Sequence, residues 1–480
     1  MASSKNKHTV VLLGVGHTNA HVLRNWKMAP ISNANLICVS NFPVASYSGM
    51  MPGVLAGQYP REAMNIDLVR LCQSAGARLI LGDVENLDVE KQELHFTNRP
   101  PLSYDQLSIG VGSVPSFENV TVTSDRNLLA VKPMQTFLDR LENRLQDFDK
   151  KSPVRIAIVG GGIGSIETAF CLKQKLLNES RVHEITLITR GSRIGRGLSS
   201  STQQLIEDQL QQKEIELITG RAVSEVLDAG LRLETERIVE ADLILWTTGA
   251  VAPPLLDKLP LEKDERGFLA TKPTLQSLSS DAIYAVGDTG TIIGRETEKA
   301  GVYAVRQGPI LWRNIQNVLT DRHLAPYEPQ RDYLKLINTA DGKSIAQRRG
   351  KGFYAKWCWW LKDRIDSKFM DMYQDYTPMP MENMPEEDGE ESAMRCLGCG
   401  GKIGGKILAA VLEELTIPQH EDVVIGLEAP DDAAVIRTPG NEISVTTDFF
   451  ASPLDDPYLA GRIAALNSAS DCFVLSLIHI

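Results

Sequence analysis

Two stretches of the chain share one pattern: a short, mostly apolar run, a cluster of glycines, then a longer stretch of helical character. Residues 10–13 lead into Gly14-Val-Gly16-His-Thr-Asn19-Ala20, and residues 154–159 lead into Gly160-Gly-Gly162-Ile-Gly-Ser165-Ile-Glu167. A run this short, closed by glycine, predicts a strand buried on both faces, as in a parallel sheet. The apolar run at 36–39 and the stretch Glu184-Ile-Thr-Leu-Ile188 predict the next strand of each unit. The expectation is an α/β chain with two strand–turn–helix–strand units. Further on, residues 353–370 are rich in aromatic and basic side chains. Residues 378–391, dominated by proline and acids, show no apolar periodicity and predict an extended or disordered linker.

A strand that opens through a glycine turn into a helix presents backbone N–H groups and the positive end of the helix dipole to an anion, which suits a dinucleotide pyrophosphate. Gly14 and Gly16 form the first such loop, although Asn19 stands where a third glycine is usual. The following strand ends at Ser40, so a neutral side chain faces any ribose there. Gly160, Gly162 and Glu167 belong to the second loop, whose next strand ends at Thr189-Arg190. An arginine in that place can pair with the 2′-phosphate of NADPH, whereas a carboxylate would suit NADH; a solvated loop cation is the other reading of Arg190. Two loops in one chain point to two dinucleotides, FAD and NAD(P)H. Two further segments, Ile244-Leu-Trp-Thr-Thr248-Gly249-Ala and Asp281-Ala-Ile-Tyr-Ala-Val-Gly287-Asp288, resemble flavin-contacting motifs of the pyridine-nucleotide oxidoreductase superfamily. The resemblance covers residues 9 to 320 and places Asp288 against the ribityl chain.

That superfamily often carries a redox-active cysteine pair after the second strand of the first unit. Here the stretch reads Tyr47-Ser-Gly49-Met50-Met51-Pro52-Gly53, without cysteine. The resemblance then implies direct transfer from flavin to a small acceptor, as in type II NADH:quinone reductases and their sulfide:quinone relatives. The segment from Lys299 to Gly308 is expected to close over the flavin with a helix N-terminus. Type II NADH dehydrogenases dock on membranes through a C-terminal amphipathic element, so 353–370 is a candidate for peripheral membrane contact. The competing expectation is packing on the flavoprotein, with Trp357, Trp360 and Ile365 as anchors and Cys358 as a buried thiol.

Composition narrows the field. A net charge of −11 argues against nucleic-acid partners. Seven scattered cysteines argue against a disulfide framework and for a reducing compartment, the cytoplasm by default. No run reaches the roughly 20 apolar residues of a membrane span. The cysteines do, however, include Cys396-Leu-Gly-Cys399-Gly-Gly-Lys402, a glycine-flanked thiol beside a lysine that would lower its pKa. Asp431-Asp432, Asp448 and Asp455-Asp456 follow, then Gly461-Arg-Ile-Ala-Ala-Leu-Asn467 and Asp471. Carboxylates spaced this way suit divalent cations and nucleotide phosphates. The Cys-x-x-Cys could be half a zinc site, but no second pair exists, and Asp455-Asp456 reads as a helix-start signal.

This ordered set resembles the N-terminal half of selenophosphate synthetase (selenide, water dikinase), and the preceding part resembles the oxidoreductase found fused to it. The resemblance implies Cys399 as the catalytic thiol and Lys402 as its neighbour. It also implies Asp432 and Asp471 as Mg2+ ligands at an ATP site, with Asp448 and Asn467 nearby. Gly401 replaces a cysteine common in that family, and after Asp471 the chain runs through Cys472-Phe-Val-Leu-Ser-Leu-Ile-His-Ile480 instead of a glycine-rich continuation. A truncated, inactive PurM-like α/β domain is expected there. The expected organisation is 1–150 and 256–330 for FAD, 151–255 for NAD(P)H, 331–374 as an extension, 375–393 as linker and 394–480 as the synthetase-like part. The expected reaction is NAD(P)H oxidation through FAD to a selenium species or a quinone. A non-catalytic flavoprotein is the rival from another class, and a homodimer is one candidate assembly.

Overall fold

The computed structural model describes residues 7–377, 420–426, 433–446, 454 and 456–474, without the side chains of 471–474. The chain divides into two compact units, Met1–Met379 and Pro380–Ile480.

In the first unit, a parallel five-stranded sheet runs in the order Ile283–Ala285, Gln106–Ile109, His8–Leu13, Ala34–Ser40, Arg78–Leu81. His8–Leu13 sits at its centre with its last four residues buried, as a strand covered on both faces requires. A second parallel five-stranded sheet runs Leu128–Ala130, Leu243–Trp246, Val154–Val159, His183–Ile188, Ile215–Ile218. Each glycine loop lies at the carboxyl end of its sheet's central strand, where open α/β sheets bind ligands. The edge strand Ile283–Ala285 returns to the first sheet only after the second sheet is finished. The second dinucleotide unit is therefore an insertion in the first.

The chain then forms an antiparallel sheet, Lys335–Asn338, Ser344–Arg348 and Lys351–Ala355, that runs into the helix Lys356–Gln374. The helix packs on the rest of the first unit as expected, but through other residues. Trp357, Trp360 and Ile365 are 52%, 59% and 44% exposed, while Cys358, Lys362, Asp366, Phe369, Met370 and Tyr373 are buried. The buried residues recur every three or four positions on one face. Lys362 and Asp366 can occupy that face because they neutralise each other there, which leaves the tryptophans outside. Cys358 is the buried free thiol anticipated.

The second unit, as far as described, has an antiparallel sheet of Val423–Ile425, Ala434–Thr438 and Asn441–Val445 and a helix Pro457–Val474. Asp456 accepts a hydrogen bond from the Tyr458 N–H at 3.1 Å, the helix-start role read from sequence.

The first glycine loop crosses closely over the neighbouring strand end. Gly14 has φ +76°, and a Cβ there would lie 2.6 Å from the Gly110 carbonyl oxygen. At Gly16 the same oxygen would be 3.5 Å away, an ordinary contact. Gly14→Ala should therefore lose on the order of 1–3 kcal/mol through strain and backbone displacement, visible as a lower denaturation midpoint. Gly16→Ala should leave that midpoint near wild type.

Candidate active site

Around the first glycine loop, most polar side chains are already engaged. The Thr18 hydroxyl donates to the Ala304 carbonyl at 2.7 Å, joining the loop to the helix Gly301–Leu319. Asn19 explains its place in the motif. Its Nδ2 donates to the Gly14 carbonyl at 2.7 Å and the Ser108 carbonyl at 3.3 Å, and its Oδ1 accepts from the Ser108 hydroxyl. It thus stitches the turn to the neighbouring strand. Ser40 donates its hydroxyl to the Phe42 carbonyl at 2.8 Å, so it serves the local turn.

Gly287-Asp288 follows the returning edge strand. Gly287 has φ +62° and donates its N–H to Gln307 Oε1 at 2.6 Å. Asp288 Oδ2 accepts from the Ser113 hydroxyl at 2.7 Å and stands 3.7 Å from Lys132 Nζ, which itself donates to Ser113. Burial lowers the Lys132 pKa, and Asp288 opposes that shift. The helix Gly301–Leu319 begins beside these residues without a side-chain cap, its Tyr303 N–H donating to the Ala300 carbonyl at 3.0 Å. Just before it, Lys299 donates to the Gly290 carbonyl and Thr291 hydroxyl and lies 4.0 Å over the Phe268 ring. Burial lowers its pKa to about 8.

The second loop is packed as tightly. A Cβ on Gly160 would be 2.4 Å from Ser165 Oγ, and one on Gly161 would be 2.2 Å from Thr189 Oγ1. Gly162 caps the helix Ile163–Asn178. Arg190 lies exposed after the strand His183–Ile188 and has no ion pair among the described residues, while the nearby Arg193 pairs with Glu207. Thr248 and Gly249 brace the crossing between the sheets: the Thr248 hydroxyl donates to the Ser116 carbonyl at 2.7 Å, and the Ser116 N–H donates to the Gly249 carbonyl at 2.9 Å.

Glu167 has a different setting from the one its motif suggests. It is buried, accepts from the Asn338 N–H at 2.8 Å and lies 3.7 Å from Lys362 Nζ. Lys362 also donates to Asp366 Oδ2 at 2.9 Å and to the Gly49 carbonyl at 3.0 Å. Tyr47 completes the group by donating to Asp366 Oδ1 at 2.9 Å, and Tyr59 donates to Asp363 at 2.7 Å. The C-terminal helix is thereby bolted to the Tyr47–Gly53 loop and to the second dinucleotide unit at once. Burial disfavours the Lys362 ammonium, but Glu167 and Asp366 outweigh it and raise its pKa. Burial raises the Glu167 pKa against the pull of Lys362. Tyr47 is also raised, by burial and then by Asp366, and stays a neutral phenol. His17 packs edge-on against Tyr47, ring centroids 5.4 Å apart, with Phe369 at 5.8 Å.

The sequence profile of the pyridine nucleotide-disulphide oxidoreductases matches residues 8–308. The chain belongs to that family. Among related proteins, the demethylphylloquinone reductase NdbB of Synechocystis is 28% identical over 56% of this chain and 69% of its own. The solved structure of sulfide:quinone oxidoreductase from Aquifex aeolicus superposes with a TM-score of 0.66 at 16% identity, covering 78% of this chain and 93% of that one. NDH2 from Plasmodium falciparum, solved with NADH, gives 0.65 at 13% identity, covering 78% and 99%. At such identities these two show the fold alone, an FAD/NAD(P)H-binding oxidoreductase fold. Residues 430–476 match the N-terminal domain of AIR synthase related proteins. A selenide, water dikinase of Burkholderia ambifaria is 44% identical over 80 residues, 16% of this chain and 23% of that enzyme. The chain is a fusion of this oxidoreductase with a dikinase-like segment.

Within this oxidoreductase, the predicted residues fall into three groups. Gly14, Gly16, Gly287 and Asp288 gather around the first sheet's carboxyl end, and Gly160, Gly162 and Arg190 around the second's. Ser40, Thr248, Gly249 and Glu167 are engaged with protein partners. Cys399, Lys402, Asp432 and Asp448 lie outside the described residues, as does the side chain of Asp471; Asn467 lies on the helix Pro457–Val474, where its carbonyl accepts from Ser470. The Lys362–Asp366 pair, its link to Tyr47, and His17 were not among the sequence candidates. The i,i+4 Lys–Asp spacing inside the aromatic stretch was the available signal.

Removing the ammonium tests the cluster. Lys362→Met should cost about 3–5 kcal/mol, since two carboxylates would remain in a dry site. Lys362→Met combined with Asp366→Asn and Glu167→Gln should recover most of it, with urea denaturation midpoints as the measure.

Proposed function

We propose that the oxidoreductase passes electrons from NAD(P)H through FAD to a small quinone-type acceptor. The observation that carries this reading is the Tyr47–Gly53 loop. It has no cysteine to relay electrons, and it is backed by the buried Lys362, Asp366 and Glu167. The fit of FAD to the first loop is supported by the glycine cradle at Gly14 and by the acid Asp288 held by Ser113. Bound FAD would supply hydride acceptance from the nicotinamide and two-electron donation onward.

The chain's own residues supply the rest. Gly14, Gly16 and the helix that follows bind pyrophosphate through backbone N–H groups. Gly160, Gly162 and the helix Ile163–Asn178 do the same for the nicotinamide dinucleotide, with Arg190 as the proposed partner of a 2′-phosphate. Two-electron reduction of a quinone to a quinol consumes one proton beyond the hydride. Lys362, an ammonium hydrogen-bonded to the Gly49 carbonyl at 3.0 Å, is a proton-bearing group directly behind the loop. The exposed Phe353, Trp357 and Trp360, with Arg364 stacked 5.5 Å from the Trp360 ring, suit a membrane interface where a quinone would be met. No helix among the described residues is long and apolar enough to cross a membrane.

A second reading has its own support. The dikinase-like segment makes an oxidised selenium species an alternative acceptor, whose reduction would feed selenide toward Cys399. ATP, Mg2+ and formation of selenophosphate, AMP and phosphate belong to that reading, with Asp432, Asp448, Asn467 and Asp471 at the nucleotide. The matched stretch spans 23% of the dikinase.

Anaerobic titration separates these readings. NAD(P)H should bleach a flavin band, and a short-chain quinone should restore it; recovery with selenite but not quinone would replace the first reading with the second. A flavin that stays oxidised throughout would leave a non-catalytic flavoprotein. Arg190→Glu should lower kcat/KM for NADPH by about 10- to 100-fold relative to NADH, the effect of one charge-assisted phosphate contact worth roughly 1.5–3 kcal/mol.

A further inference from the structure

A cavity of about 260 Å³ lies between three helices of the first unit, Met51–Leu55, Met134–Gln146 and Ile163–Asn178. Leu55, Leu138 and Leu141 are buried and give it an apolar wall. Arg61, Glu142 and Lys175 line it as well. The Arg61 and Glu142 side chains are 39% and 43% exposed, and Pro60 beside them is exposed, so the cavity meets solvent on that side and a small molecule can enter. None of the lining residues belongs to either glycine loop or to Gly287-Asp288. Lys175 stands twelve residues beyond Ile163, about 18 Å along the helix from the turn that faces the nicotinamide dinucleotide.

The charges in the wall decide what fits. Glu142 has both oxygens engaged: Oε2 accepts from Arg61 at 2.7 Å, and Oε1 lies 3.5 Å from Lys175 Nζ. Arg61 also pairs with Asp139, and Lys175 lies 2.7 Å from Glu179, but neither of those acids lines the cavity. The cavity wall therefore carries two cations against one carboxylate. An ammonium has three N–H donors, and among the described residues that of Lys175 has one close acceptor, Glu179. It keeps donor capacity for a group inside the cavity, next to leucines that favour an apolar body. An apolar cavity of about 150 Å³ takes benzene, and the additional space here admits an acid group on a short chain. We propose that this cavity binds a small organic carboxylate with an apolar body, such as a monocyclic aromatic acid, its carboxylate on Lys175 and Arg61 and its body against the leucines. The assignment is independent of the flavin reading.

Three probes with the same phenylpropyl body and different heads test the site on the full chain: hydrocinnamate, hydrocinnamyl alcohol and phenylpropylamine. Saturation-transfer NMR gives each dissociation constant, and circular dichroism reports folding. The acid should bind with a constant on the order of 1 mM. The alcohol and the amine should bind about tenfold more weakly, the loss expected for a hydrogen bond to a charged group. Lys175→Met should bring the acid down to the affinity of the alcohol and leave the alcohol unchanged. Val54→Phe, which fills the cavity from the helix Met51–Leu55, should weaken acid and alcohol alike. Saturating NADPH should not displace the acid. Absence of acid binding, or an alcohol or amine that binds as tightly as the acid, would overturn the proposal. So would displacement by NADPH, acid binding unchanged by Val54→Phe, or a preference for the acid that survives Lys175→Met in folded protein.

Discussion

The flavoprotein unit depends on a lysine buried between two carboxylates. Lys362 reaches Asp366 on its own helix, Glu167 on the helix of the second glycine loop and the Gly49 carbonyl on the cysteine-free loop. Three elements far apart in sequence thus meet at one ammonium group. Charges placed this deep stabilise a fold less than well-packed apolar residues of similar volume often do, and removing one partner is strongly destabilising. What the arrangement fixes is geometry: the Tyr47–Gly53 loop is held against the extension and against the helix of the second glycine loop.

The parts of the fold legible in the sequence were those set by local rules. Short apolar strands ending in glycine gave both parallel sheets, because buried strands and pyrophosphate turns allow few alternatives at those positions. Asn19 looked like a flaw in the first motif, whereas its amide bridges the turn to the strand Gln106–Ile109. That bond is to a residue far along the chain, so no local pattern could announce it. The C-terminal helix failed differently. Tryptophan and isoleucine are ordinary core residues, and the expectation that Trp357, Trp360 and Ile365 anchor the helix followed from that tendency. The helix instead turns Lys362 and Asp366 inward, since Glu167 and Tyr47 wait on the opposite side. Burial of a charge is decided by partners that only the tertiary structure brings together.

Family membership adds to this picture by contrast. Oxidoreductases named for a disulphide are matched here by a chain whose Tyr47–Gly53 loop lacks cysteine, and the four described cysteines are buried and free. At that loop Tyr47 and the buried charges behind it stand where such a cysteine pair is usual in the family. The scaffold is common to the family; the site is particular to this chain.

The late return of the strand Ile283–Ala285 has a consequence during synthesis. The second sheet can close once Trp246 has left the ribosome, because all five of its strands lie before that point. The first sheet cannot, since the hydrogen-bonding edge of Gln106–Ile109 waits for a partner made well over a hundred residues later. Until then it is an open strand edge of the kind that recruits other chains. The nascent protein can therefore complete its second dinucleotide unit while the first, with that strand edge unpaired, is still unfinished.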